Sequence, residues 1–75
     1  MDKLVEMIAK SLVDHPDAVK TVKREESDRI VIELSVDPSD TGKVIGRNGR
    51  IAKAIRTVVK AASVNSEKRV VVDIL

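Results

Sequence analysis

Between Pro38 and Ala62 the spacing of apolar residues is helical, yet two glycines three positions apart, Gly46 and Gly49, divide that stretch into a short piece and a long one. Glycine adopts torsions that end a helix, and within one it costs about 1 kcal/mol relative to alanine. The short piece opens on Asp37-Pro38-Ser39-Asp40. Asp37 is placed to cap, Pro38 suits a first helical position, and Asp40 stands where a capping arrangement closes three residues on. This piece ends near Ile45, and a new helical pattern starts after Gly49. The pattern predicts a helix, a tight four-residue loop and a second helix.

On either side the periodicity changes. Leu4, Val5, Ile8 and Leu12 recur at helical spacing behind Asp2, which is placed to cap that helix. Pro16 ends it near Asp14-His15, because its ring pushes the preceding residue away from helical torsions and it has no N–H to donate. Val19–Arg24 is rich in β-branched residues, and in Arg29–Val36 the residues Ile30, Ile32, Leu34 and Val36 alternate with Val31, Glu33 and Ser35. Both segments read as strands, joined by the polar turn Glu25-Glu26-Ser27-Asp28. After Asn65-Ser66-Glu67-Lys68, the run Val70–Leu75 reads as a third strand. The predicted order is α-β-β-α-α-β, an α+β class.

A chain of 75 residues is long enough for one small core and too short for two, so residues 1–75 are expected to form a single domain. With no Phe, Tyr or Trp, that core must be built from Val, Ile, Leu, Ala and Met. Stability is expected to be modest, and a partner subunit would add to it. The missing aromatics also exclude modules that stack bases on aromatic rings, such as RRM sheets and many OB folds. No apolar run approaches the roughly 20 residues that span a bilayer. Nothing at Met1-Asp2-Lys3 resembles a signal peptide, and without cysteine there is neither a disulfide nor a thiolate zinc site. A cytoplasmic location with no cofactor is expected.

Net charge is only +2, but it is unevenly placed. Thr41 to Ser66 contains Lys43, Arg47, Arg50, Lys53, Arg56 and Lys60 and no acid, while the rest of the chain holds eight basic and twelve acidic residues. Such segregation is the footprint of contact with a polyanion, although a lysine-rich helix can also be merely solvated. On the second helix Ile51, Ala54, Ile55, Val58, Ala61 and Ala62 fall on one side at 100° per residue, and the four cations on another.

Several chemistries are set aside. The Gly42 to Gly49 stretch lacks the Gly-Lys-Ser/Thr of a P-loop and the Gly-x-Gly-x-x-Gly of a dinucleotide site, and it follows a helix rather than a strand. No nucleophile stands beside a base, so no enzymatic activity is expected. His15, alone and before a proline, reads as a structural helix-end residue rather than a metal ligand. The basic amphipathic stretch Arg50 to Lys60 has an alanine-rich apolar side with no aromatic anchor, a poor membrane helix.

The segment Val44-Ile45-Gly46-Arg47-Asn48-Gly49-Arg50-Ile51-Ala52-Lys53-Ala54-Ile55 is the informative one. It resembles the KH-domain signature Ile-Gly-x-x-Gly followed by x-Ile-x-x-Ile, with Ile55 one position beyond that spacing, lying between two helices within β-α-α-β. A bare Gly-x-x-Gly would be an ordinary helix-to-helix turn; the flanks and the element order make the match. The physical logic is close approach, since a glycine loop lets a sugar-phosphate chain lie against main-chain amides at the start of a helix. Arg47 and Arg50 would add full charge, Asn48 would donate or accept, and Lys43 and Lys53 sit one turn away on the flanking helices. Ile45, Val36 and Ile51 are candidate apolar edges of a base groove, or simply core residues. The resemblance thus implies RNA binding by Lys43, Ile45, Gly46, Arg47, Asn48, Gly49, Arg50 and Lys53.

Over the whole chain the order is similar to the type II KH fold, which implies a three-stranded mixed sheet with helices packed on one face. The length, the Leu-Val-rich first helix and the Val-rich last strand resemble the small bacterial KhpA family. That resemblance implies a cytoplasmic single-stranded RNA-binding protein, an RNA chaperone or post-transcriptional regulator linked to cell elongation, division and wall biogenesis. It also implies a homodimer, or a heterodimer with a KhpB/Jag-like protein. The alternative is an assembly module on the same scaffold, pairing through Val58, Val59 and Ala62 with little RNA binding of its own.

Overall fold

The computed structural model describes residues 1–75. Helix α1 spans Asp2–Leu12, strands β1 and β2 span Lys20–Glu25 and Arg29–Ser35, helices α2 and α3 span Thr41–Ile45 and Arg50–Ala62, and strand β3 spans Arg69–Ile74. Short 3₁₀ turns at Pro16–Ala18, Pro38–Asp40 and Arg47–Gly49 join them. The order is α-β-β-α-α-β, as the periodicity predicts.

The three strands form one mixed sheet in the order β1-β2-β3. β1 and β2 pair antiparallel through a tight turn, with Lys20 opposite Ser35 and Glu25 opposite Ile30. β2 and β3 pair parallel, with Arg29 opposite Arg69 and Leu34 opposite Ile74. A parallel pair requires a crossover, and α2 and α3 supply it. That crossover carries the glycine loop, between its two helices.

Alternation along the strands assigns the sheet faces. Ile32 and Leu34 on β2 and Val72 on β3 point toward the helices and join Val5 and Ala9 of α1, Val19, Val44 of α2, and Ile55 and Val59 of α3 in one buried cluster. Each fully buried Val, Leu or Ile contributes roughly 1.5–3 kcal/mol. Ile8, Val13, Val36, Ile51, Val70 and Ile74 pack around its margin. The helices therefore cover one face of the sheet, the arrangement the KH resemblance implies.

The structure corrects several local expectations. Met1, not Asp2, occupies the cap position of α1, and Asp2 stands in its first turn. The helix expected from Pro38 to Ile45 is a 3₁₀ turn followed by the five residues of α2. Asp37 does cap locally, accepting from the main-chain N–H of Ser39 at 2.9 Å and from its hydroxyl at 2.7 Å. Asp40 closes no cap; its side chain is fully buried. On α3 the buried residues are Ala52, Ile55 and Val59, while Ala54, Val58, Ala61 and Ala62 stay exposed. The apolar arc of α3 is wider than the core it meets.

Candidate nucleic-acid interface

The loop follows from three unusual backbone positions in four residues. Gly46 ends α2 with φ 76° and ψ 172°, a region essentially reserved for glycine. A Cβ built there would lie 2.7 Å from Cγ1 of Ile51, so the bareness of Gly46 is used first by the protein itself, to seat the loop on α3. Asn48 takes left-handed torsions, φ 58° and ψ 25°, which asparagine tolerates better than most residues. Gly49 follows at φ 74° and ψ 15°, with open space where a side chain would be. The turn is held by main-chain bonds from Gly46 N–H to the Gly42 carbonyl at 2.8 Å and from Gly49 N–H to the Gly46 carbonyl at 3.2 Å.

The turn delivers the chain directly into α3, whose amino end has no side-chain cap. Uncapped N–H groups and the positive end of the helix dipole favour an anion there. Arg47, Asn48 and Arg50 are exposed around that end, and Lys53 is exposed one turn along. None of the three cations has a carboxylate within ion-pair distance, in contrast to Lys10, Arg24, Arg29 and Lys68 elsewhere. Ile45 is 37% exposed beside the loop, whereas Ile51 and Val36 are half-buried and pack on the core.

Lys43 differs from the other cations. Its ammonium is paired with the carboxylate of Asp14 and with Asp40, 3.3 Å away. Asp40, fully buried, also accepts from the main-chain N–H groups of Asp14 at 3.3 Å and His15 at 2.9 Å, and meets Nδ1 of His15 at 3.0 Å. Burial alone would raise the Asp40 carboxyl; the bonds from His15, Asp14 and Lys43 override it and bring the pKa down to about 2. The same hydrogen bond, then the charges of Asp37 and Asp40, raise the half-exposed His15 above its ordinary value. Asp40 was legible only as a capping residue, because its partners lie 25 and 26 positions earlier in the chain.

Sequence reasoning also missed a groove of about 480 Å³ between α3 and β3. Arg56, Lys60 and Ser63 line its helix side, and Arg69 with Val70 to Val72 line its strand side. β3 is an edge strand, and Nε of Arg56 donates to the Val72 carbonyl at 3.3 Å. The cations of α3 thus lead from the loop toward this strand edge. Arg56 and Lys60 were visible in the acid-free segment; no local pattern joined Arg69 to them.

The sequence matches the family described as KhpA/KhpB, KH domain, over residues 2–74. It is 59% identical over 75 residues to a Clostridium acetobutylicum protein named RNA-binding protein KhpA, the whole of both chains being covered. A Clostridium perfringens protein of the same name is 57% identical, again over the whole of both. A Bacillus subtilis protein, also RNA-binding protein KhpA, is 51% identical over 70 residues, covering 93% of this chain and 86% of the relative.

Proposed function

The chain belongs to the KhpA/KhpB KH-domain family, and on that premise we propose that it binds single-stranded RNA through Gly46-Arg47-Asn48-Gly49. The observation that carries the reading is the uncapped start of α3, fed by a turn with three positive-φ positions and surrounded by Arg47, Arg50 and Lys53 with no protein counter-charge. Phosphates pack against the main chain of the loop, the three cations neutralise them, and Ile45 gives an apolar edge. The nucleotide chain then follows the cation flank of α3 toward the groove at β3. Residues 1–75 act as one domain, in the cytoplasm, with no cofactor and no catalysis. A contact of about four nucleotides holds little sequence information, which suits a chaperone or post-transcriptional regulator of many transcripts, linked to cell elongation and division.

A second reading has its own observation. Of the residues expected to pair, Val59 is buried in the core at 1% exposure, whereas Val58, 45% exposed, and Ala62 join Ala54 and Ala61 in an exposed apolar stripe on α3. This stripe pairs the chain with a second copy or with a KhpB-type partner, and pairing is compatible with RNA binding because the cations lie on another side of the helix.

The test is binding of a fluorescent single-stranded RNA oligonucleotide to wild type and to the double variant Arg47→Asp with Asn48→Asp. Aspartate tolerates the left-handed torsions of position 48, so the fold is retained. Wild-type affinity falls steeply with salt, by about 0.7 in log–log slope per phosphate neutralised, and the variant loses nearly all binding. Unchanged binding in the variant refutes the loop assignment. A wild type that binds no RNA yet sediments as a dimer leaves only the assembly reading.

A further inference from the structure

A fully buried carboxylate needs a reason, because each one must be compensated by hydrogen bonds or paired charge. Asp40 is compensated completely: no buried side-chain polar atom in the chain lacks a partner. Four hydrogen bonds do this, and they join two places in the chain. Three come from Asp14 and His15, at the junction between α1 and β1, and the fourth from Lys43, one turn before Gly46. Lys43 is joined in turn to Asp14. The result is a closed clasp between the α1 junction and α2.

α2 has only five residues and one buried side chain, Val44, so packing alone holds it weakly. Yet α2 carries Gly46 at its end, and the loop's other anchor is the contact between Gly46 and Ile51. We infer that Asp40 is a positioning residue for the nucleic-acid loop: its buried carboxylate, through Asp14, His15 and Lys43, fixes α2 so that Gly46 to Gly49 meet the start of α3 in one arrangement. Lys43 belongs to this clasp and not to the phosphate-binding set. The inference rests on the RNA-binding reading for its consequence and on the clasp geometry for its structure.

The experiment combines two readouts on wild type, Asp40→Asn, Lys43→Met, His15→Gln and a core control, Val5→Ala. The first is amide hydrogen exchange across Gly46 to Arg50, measured without RNA. The second is the salt dependence of binding to a fluorescent single-stranded RNA oligonucleotide. Asp40→Asn speeds exchange in the loop and weakens RNA binding about tenfold at matched salt, comparable to the low end of what loss of a supporting partner costs a metal site. Its salt slope stays that of wild type, since no phosphate contact is removed. Lys43→Met also leaves the slope unchanged, whereas Arg47→Met lowers it by about 0.7. Val5→Ala destabilises the fold globally without a loop-specific change.

Asp40→Asn with wild-type loop exchange and wild-type affinity overturns the inference. So does a Lys43→Met slope reduced as much as that of Arg47→Met. If Asp40→Asn does not fold, the single-arm variants decide: faster loop exchange in either supports the clasp, and wild-type exchange in both overturns it. Absence of RNA binding by wild type refutes the RNA reading, while the exchange data still decide whether Asp40 fixes the loop.

Discussion

At the scale of single residues, the two loop glycines do different work. Gly46 combines torsions that side chains avoid with a Cβ position 2.7 Å from Ile51, whereas Gly49 has the torsion problem alone, with free space around it. Gly49→Ala is therefore expected to lower stability by about 1–2 kcal/mol, the cost of a left-handed non-glycine residue. Gly46→Ala costs more, because Ile51 must also shift. Urea unfolding of the two variants checks the order, and equal losses would remove the packing role given to Gly46. A bare Gly-x-x-Gly shows neither distinction, because the contact with Ile51 exists only once α3 is folded back on the loop.

At the scale of elements, α3 carries three faces. Core residues Ala52, Ile55 and Val59 lie on one, the cations on a second, and Ala54, Val58, Ala61 and Ala62 on a third, about a quarter turn from the core. The separation of cations from apolar residues was readable from spacing. The division of the apolar arc into buried and exposed halves was not, since periodicity reports hydrophobicity and not what stands opposite. If the exposed half pairs subunits, Val58→Lys converts a dimer to a monomer in sedimentation velocity. The unfolding free energy of the monomer changes by no more than about 0.5 kcal/mol, as for other surface substitutions. Retention of the dimer would move the interface elsewhere on the surface.

At the scale of the whole molecule, the clasp at Asp40 ties the segment after α1 to α2, so its titration is felt in global unfolding. His15 has a folded-state pKa raised above 6.5 by its hydrogen bond to Asp40 and then the charges of Asp37 and Asp40, which outweigh the opposing effect of burial. Its contribution is complete below the unfolded value and is lost as pH rises through the raised one. Asp40 behaves oppositely: at about 2, below its ordinary 3.8, it contributes above the unfolded value and is lost as pH falls toward 2. Stability is thus expected to peak between the two limbs, in mildly acidic solution. His15→Gln should flatten the neutral-to-alkaline limb and leave the acid limb, as followed by urea unfolding against pH. An unchanged alkaline limb would show that the His15 to Asp40 contact does not contribute.

The order of elements, the turn at Gly46 to Gly49 and the segregation of cations toward α3 were determined by the sequence itself. Each depends on torsional preference or periodicity within a dozen residues, and that information survives without tertiary contacts. Tertiary structure alone decided that Asp40 is interior and not a cap, that Lys43 faces Asp14, that Arg69 joins Arg56 and Lys60 at a groove, and which part of α3 is covered. The reason is separation along the chain. A side chain's partner 9 to 29 residues away is set by how helices and strands stack, and stacking leaves no mark in local spacing.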